Sequence, residues 1–585
     1  MRTQRAGRLA ACTAIVLSAG MLLAGPAAAD GGAPHATPAP APRAATAPPT
    51  LTLPRPAAAD KDARKDVPKD ARKAPRSAVA NAPVKAKPRF DPDNDGYSDL
   101  LTRWLDDRLY LAVGNGKPNA LFANNLGTYK DLINPGDLGG GSAPEVLDLS
   151  PTGTLTLHAD VTTSSGVGPG SWSGGGWNMF NKVVSAGDVS GDGLPDLLAR
   201  TPGGDLYLYT GTGSLSAPFT TGRKVGSGWD RYDQIVGAND ANGDGLGDVY
   251  GRTPSGDLYF YAGTGNAADP LAAGVKVGYG WDGFNQIIGV DDQSGDGLGD
   301  LLARDTSGQA WFYAGNGDGT LKPHTAGGKG WQGSDFAGSG GNPAYGKNDL
   351  VGLDANGTLS SYYGRGNGEL SAASAGPAGG WNGAHYIALA SSLTASRWAD
   401  LLEVTTDGEL YVDGKDLGGG WGIYNSVIGV GDLTNEGNGD LLARQPGNGH
   451  LYLYPGNGEG SRVYSRVDIG GGWNAYDKLL GAGDVNGDGQ ADLLARTPGG
   501  DLYLYAGTGD PKTPFKGRVK IGYGWDMYSG GKIAAPGDLT GDGRTDLVAV
   551  DSSGNLWRYD ADGTGGFKSR VKIGYGWNTY KYGIY

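Results

Sequence analysis

Gly-Asp-Val-Asn-Gly-Asp-Gly-Gln-Ala-Asp-Leu-Leu-Ala-Arg (483–496), Thr-Pro-Gly-Gly (497–500) and Asp-Leu-Tyr-Leu-Tyr-Ala-Gly-Thr-Gly (501–509) follow one another in the chain. A variable loop leads from there to Arg-Val-Lys-Ile-Gly-Tyr-Gly-Trp (518–525). The Leu-Tyr-Leu-Tyr run alternates as a half-buried strand does, and Pro-Gly, Ser-Gly and Thr-Gly pairs punctuate the stretch as turns. Ile-Ile-Gly-Val (287–290) before a loop and Asp-Leu-Leu-Ala-Arg (300–304) after it supply two more strand-like pieces in another copy. The Val-Lys-Ile-Gly type is the fourth. Helical periodicity is missing. Four short strands in a unit of about fifty residues are the signature of a propeller blade.

The unit recurs from Phe90 to the end. Well-formed Asp loops begin at residues 91, 188, 240, 292, 432, 484 and 538. The two long gaps hold worn copies: one near Asp137 to Glu145, one ending at Asn348-Asp349-Leu350-Val351, and one ending at Trp398-Ala399-Asp400-Leu401-Leu402. The expected fold is therefore all-β, a β-propeller of about ten four-stranded units over residues 89–585. The absence of a linker between units favours one large ring, with two five-bladed rings split near 340 as the alternative. Tyr580 to Tyr585 looks like the strand that precedes an Asp loop, and the first unit lacks that strand. The C-terminal strand is therefore expected to complete the first blade.

The remaining chain is of two kinds. Arg2, Arg5 and Arg8, an apolar stretch from about Leu9 to Leu23, and Ala27-Ala28-Ala29 read as a secretory signal cut before Asp30 (1–29). The apolar stretch is short for a membrane span, so no transmembrane anchor is expected after cleavage. Cys12 is the only cysteine and leaves with the signal, so the mature chain forms no disulfide. Residues 30–88, rich in Ala, Pro and charge, read as a disordered linker or wall-facing spacer with eleven Lys/Arg against five Asp/Glu. Residues 89–585 carry 35 Lys/Arg against 57 Asp/Glu, which argues against a nucleic-acid partner and for cations.

The loop pattern D-x-[DNST]-x-[DE]-G-x-x-D accounts for much of that acidity. Oxygens at positions 1, 3, 5 and 9, with the position-7 carbonyl, converge on one point, and hard oxygen donors at that count suit Ca2+. The candidate ligands are Asp91, Asp93, Asp95 and Asp99; Asp188, Ser190, Asp192 and Asp196; Asp240, Asn242, Asp244 and Asp248; and Asp292, Ser294, Asp296 and Asp300. In the last three loops they are Asp432, Thr434, Glu436 and Asp440; Asp484, Asn486, Asp488 and Asp492; and Asp538, Thr540, Asp542 and Asp546. An EF-hand is excluded, because position 12 is Gly251, Ala495 or Ala549 where a bidentate Glu is needed, and a strand follows. About seven Ca2+ sites are expected, and the three worn loops are expected to lack the ion.

These loops, their flanking Gly-Asp and the Leu-Leu-Ala-Arg strand resemble the FG-GAP/VCBS repeats of integrin alpha-type propellers and many exported bacterial proteins. The resemblance implies a β-propeller with calcium between the first two strands of a blade. The Gly-x-Gly-Trp element (Trp229, Trp281, Trp525, Trp577) is more loosely similar to tachylectin-like propeller lectins, which implies sugar binding.

Catalytic patterns are missing. There is no G-x-S-x-G elbow, no cysteine in the mature chain and no H-x-x-x-H among five histidines. No enzyme is expected. The expected role is a secreted binding or adhesion module for glycans or proteins, free or wall-associated. A polymer-cleaving hydrolase or lyase and a purely structural surface protein are the alternatives. Nine Gly-Trp positions (177, 229, 281, 331, 381, 421, 473, 525, 577) either stack sugars or pack blade on blade, with packing the simpler reading.

Overall fold

The computed structural model describes residues 49–53, 87–104, 108–114, 120–123, 129–141, 143–305, 307–332, 334–338, 347–391, 393–394, 398–436, 438–528 and 532–585. The signal and most of the spacer lie outside the described residues. Among those described, no helix is long and apolar enough to cross a membrane.

The described chain forms ten four-stranded antiparallel sheets, I to X in the order of their second strands. Sheet IX represents them: Lys478–Gly483, Asp492–Arg496, Leu502–Tyr505 and Val519–Gly522, from inside to outside. Its second strand is buried throughout, since sheets pack on both of its faces. Its third alternates buried and half-buried, as the Leu-Tyr-Leu-Tyr run requires.

The sheets form two rings of five. Apolar clusters link I to II, II to III, III to IV and IV to V, and a further cluster joins Leu100, Trp104 and Tyr110 of sheet I to Ile288, Leu302 and Phe312 of sheet V. Sheets VI to X repeat the cycle, and Leu350 and Ile584 meet Val548 and Trp577 to join X to VI. The joins between sheets are side-chain packing; each hydrogen-bonded sheet stays four strands wide.

Ring closure corrects two expectations. The array is two rings, not one. The inner strand of sheet I is Asp335–Phe336, which pairs with Leu100–Arg103. The C-terminal Gly583–Ile584 pairs with Asp349–Leu353 and so completes sheet VI, the first of the second ring. Each ring thus borrows its last strand to finish its first sheet. The boundary falls near 340, where the alternative reading puts it, just after Asp335–Phe336, a strand of two residues with no repeat signature.

Two recurring residues hold sheet to sheet. All nine Gly-Trp tryptophans are buried, so packing is their role. Each Arg of Leu-Leu-Ala-Arg reaches the next such Trp: Arg200 Nη1 donates to Trp229 O at 3.0 Å, Arg444 to Trp473 O at 3.1 Å and Arg496 to Trp525 O at 3.2 Å. Charge-assisted bonds of this kind, buried away from water, are stronger than neutral ones.

At each hub the inner strands come very close. A Cβ on Gly237 would lie 1.9 Å from Ser185 O, and one on Gly481 would lie 1.9 Å from Gly429 O. One cation reaches into each hub from the chain entering the ring. Arg89 Nε pairs with Asp291 at 2.7 Å in the first, and Lys347 Nζ donates to Gly481 O at 2.6 Å in the second.

Five residues of the stretch expected to be spacer belong to the first ring. Thr52 N donates to Gly327 O at 3.1 Å and Leu53 N to Gly114 O at 2.9 Å. Leu51 and Leu53 pack against Trp104 and Trp331, at the joint between sheets I and V. Their Leu-Thr-Leu alternation is a strand signal that the surrounding Ala and Pro obscured.

The rings are stacked so that loops of the second meet the first. Asn181 Nδ2 donates to Asp488 O at 2.7 Å and Asn285 Nδ2 to Thr540 O at 2.8 Å, while Arg544 pairs with Asp233. The same Asn181 and Asn285 accept from Arg200 Nε and Arg304 Nε through Oδ1, so the docking side chains are held from within the first ring.

Gly237→Ala should cost about 1–3 kcal/mol of stability, because its Cβ meets backbone that cannot rotate away. Denaturant unfolding of the variant beside the parent checks this; equal midpoints would refute the close hub approach.

Candidate functional site

Six of the seven Asp loops join first strands to second strands, the loop at 91 leads into the second strand of sheet I, and the structure resolves a division of labour within them. Position 1 is the centre of each turn. Asp240 Oδ1 accepts the N–H groups of Gly243 and Asp244 at 2.6 and 3.0 Å, and its Oδ2 accepts that of Gly245 at 2.9 Å. Gly245 sits at φ +88°, a left-handed conformation that glycine adopts without steric cost. Asp188, Asp484 and Asp538 collect the same three N–H groups in their own loops. Asp91 accepts from Asp95 and Gly96, and Asp432 from Glu436. Position 5 caps the descending limb: Asp244 Oδ1 accepts from Leu246 N at 2.9 Å, and Asp95, Asp192, Asp296, Asp488 and Asp542 accept likewise two residues on.

Position 9 ties the loop to the sheet. Asp248 Oδ2 accepts from Ala241 N and Asn242 N at 2.8 and 3.1 Å, and its Oδ1 accepts from Gly263 N of the next hairpin at 2.8 Å. Asp196, Asp300, Asp440 and Asp492 repeat all three bonds. Asp546 keeps the first two, to Leu539 N and Thr540 N, and its Oδ1 is buried without a hydrogen-bond partner. This bonding explains why the worn loops keep an acid here. Glu145 accepts from Leu138 N at 2.7 Å and Asp400 from Thr394 N at 3.1 Å. The repeated acid at position 9 has a backbone role that the ligand pattern alone did not reveal.

Position 3 is the most varied. Asn242 and Asn486 each bond both ways to the position-5 Asp, as donor to its carboxylate and acceptor from its N–H. Asp93 accepts from Asp95 N, and the hydroxyls of Ser190, Thr434 and Thr540 lie 3.3–3.5 Å from the position-1 carboxylates. Ser294 Oγ is buried with no hydrogen-bond partner. Asp292 and Asp99 are buried at positions 1 and 9 of their loops.

The donors are all oxygen, and they crowd. Carboxylate oxygens of Asp91, Asp93 and Asp99 all lie within 4.8 Å of one another. Burial, opposed by the backbone N–H bonds, raises Asp91 to about 6 and Asp248 and Asp300 to about 7. Burial and the Asp432 charge raise Asp440 to about 8, and burial with Asp484 and Asp488 lifts Asp492 well above the carboxylate range. The residues therefore fit a hard divalent cation in two ways. In the first loop three carboxylates are grouped, and the charge that the loops concentrate has no full counterweight within them. Lysines offset part of it: Lys322 lies 2.8 Å from Asp296 and Lys516 lies 3.1 Å from Asp488.

The loops fall into two environments, which no reading of a single unit reveals. Those at 432, 484 and 538 belong to the second ring and face the first, where Asn178, Asn181 and Asn285 bond their backbone carbonyls. A chamber of about 230 Å³ lies between the rings, lined by Lys130, Lys182, Arg200, Asp432, Asp484 and Asp538 among others. Burial lowers Lys182 to about 7 there. The loops at 91, 188, 240 and 292 belong to the first ring and stand away from this joint.

Asp248→Ala should lower stability by at least about 2 kcal/mol, since it strips three backbone N–H groups of their acceptor. Unfolding in chelator checks the structural origin: a loss that vanishes once calcium is removed would contradict it.

Two comparisons bear on this geometry. The family model described as FG-GAP-like repeat matches residues 432–495 and 484–549, and the FG-GAP repeat model matches residues 180–217. No curated protein sequence matches the chain. Among solved structures, an Agrocybe aegerita lectin, whose structure concerns recognition of non-reducing terminal N-acetylglucosamine, is 14% identical at a TM-score of 0.21, covering 82% of this chain and 91% of that one. The BP39L lectin of Burkholderia pseudomallei is 14% identical at a TM-score of 0.19, covering 68% and 99%. Saccharomyces cerevisiae Sqt1 is 12% identical at 0.19, covering 56% and 82%. Superpositions this poor leave the fold to rest on the sheets and loops described above. Residues 180–217 and 432–549 are thus similar to FG-GAP repeats.

Proposed function

We propose that this chain is an exported, calcium-loaded propeller that serves as a non-enzymatic binding module for extracellular glycans or proteins. One observation carries the calcium: carboxylate oxygens of Asp91, Asp93 and Asp99 lie within 4.8 Å of one another, and six further loops repeat the same residue pattern. In each loop the ligands would be the side chains at positions 1, 3, 5 and 9 with the position-7 carbonyl. A bound ion would supply the charge that the carboxylates lack and fix the turns between inner and second strands. The chain has no disulfide to do this once Cys12 is removed with the signal.

A binding role follows from how the acids are used. The paired carboxylates that would make a glycosidase centre are engaged in loop bonding and metal holding. The buried tryptophans are engaged in packing, so a ligand must be met by other residues. The secretory signal and the wall-facing spacer place the module outside the cell in this reading.

Calcium should raise the melting temperature, and chelator should lower it. Each site at a hundredfold excess over its Kd contributes about 2.7 kcal/mol. Equal melting with and without chelator, in protein that contains no calcium, would defeat the proposal.

A further inference from the structure

The outer edges of several sheets carry a recurrent arrangement that the Asp loops and tryptophans do not explain. In sheet VIII the Arg466 guanidinium lies 4.2 Å above the Tyr452 ring. In sheet IX Arg518 lies 4.6 Å above Tyr503, and in sheet X Arg570 lies 4.2 Å above Trp557. Each of these arginines also donates to a tyrosine hydroxyl: Arg466 to Tyr424, Arg518 to Tyr476 and Arg570 to Tyr528. That hydroxyl pairs in turn with a second one, on Tyr454, Tyr505 or Tyr559. The tyrosine pair sits at the joint between successive sheets, and each arginine lies at the outer edge of its sheet.

Sheet IV reaches the same arrangement by another route. Its outer strand has Gly274 where the others have arginine. Arg231, from the turn before the sheet, instead lies 4.9 Å above Tyr259, the equivalent of Tyr503, beside the hydroxyl pair Tyr232–Tyr261. Copying of a repeat explains three arginines at one position. It does not explain a fourth delivered to the same ring from elsewhere.

All four arginines are exposed, and among the described residues none has a carboxylate partner within salt-bridge distance. In a chain of net charge −13 they form local positive sites. Held flat on an aromatic ring, a guanidinium is oriented while its outward N–H groups remain available, the geometry that pairs with carboxylate or sulfate through two parallel bonds. Sheets IV, IX and X add a second element. Tyr279, Tyr523 and Tyr575, just beyond the outermost strands, are 84–85% exposed. An exposed ring is a stacking face for the apolar side of a sugar. Five residues separate Arg518 from Tyr523 along an extended strand, about 16 Å, so one ligand touching both must be an oligosaccharide.

We propose that these sheet edges bind an acidic polysaccharide, with Arg231, Arg466, Arg518 and Arg570 pairing its carboxylate or sulfate groups and Tyr279, Tyr523 and Tyr575 stacking its sugar rings. The proposal rests on the binding-module reading and narrows it to one ligand class. Repetition of the site around the second ring suits a polymer with repeating charge, because several weak contacts on one chain multiply.

The test is binding of the full mature chain, with calcium, to immobilised hyaluronate, dextran sulfate and uncharged dextran. Retention on hyaluronate or dextran sulfate, none on dextran, and release by salt are expected. The choice between the two acidic probes tells carboxylate from sulfate. Arg466→Ala, Arg518→Ala and Arg570→Ala together should weaken binding at least tenfold with an unchanged melting temperature. If the triple variant does not fold, Tyr523→Ala with Tyr575→Ala, both at exposed rings, should weaken it instead. Equal binding to dextran, or full retention by folded variants, would overturn the acidic-glycan proposal and leave the binding-module reading standing. Binding to none of the three probes would also overturn it; the wider reading falls only if a broad glycan and protein screen is empty as well.

Discussion

Five inner strands share one hub, and they meet so closely that a side chain at some positions has no space. Gly237 and Gly481 each present bare backbone to a neighbouring carbonyl, at a distance where even a methyl group would collide. Much of the structure depends on that approach. The five sheets fan outward from the hub, so their outer halves spread apart and need large residues between them. The buried tryptophans and the Leu-Leu-Ala-Arg arginines fill and bridge that widening space. A ring of five also leaves little room at its axis, and one cation, Arg89 or Lys347, occupies each.

The Asp loops solve a related problem at the ends of the inner strands. A tight turn from first to second strand leaves many backbone N–H groups pointing inward. Carboxylates at positions 1, 5 and 9 accept them, and in doing so become crowded and partly buried. The charge concentrated in the loops is therefore a by-product of how the turn is hydrogen-bonded. Glu145 and Asp400 make the point: their loops have lost most other candidate ligands, yet the position-9 acid remains because backbone still needs it.

Much of this was legible in the chain. The Leu-Tyr alternation, the Asp loops and the turn pairs gave the sheets, their number and their order. Candidate ligands were legible as residue types at fixed spacing; among the described residues the structure groups the carboxylates of one set, Asp91, Asp93 and Asp99, within 4.8 Å of one another. Less legible were contacts between distant residues. Leu51 and Leu53 lie in a run of Ala and Pro, and only Trp104 and Trp331 make them core. In sheets VIII, IX and X the Arg–aromatic arrangement joins an arginine to a tyrosine hydroxyl 42 residues earlier, a contact that local pattern does not show.

The sequence by itself determined the local units, because alternation, turn chemistry and loop bonding act over a few residues. It also determined that acids would be concentrated in the turns that lead into the second strands. Only the tertiary structure decided how the units close. Closure depends on which sheet the two short strands Asp335–Phe336 and Gly583–Ile584 complete, and that pairing is set by packing across more than two hundred residues. It also decided that three loops face a second ring while four do not, since stacking is a property of whole faces and leaves no mark in the repeat.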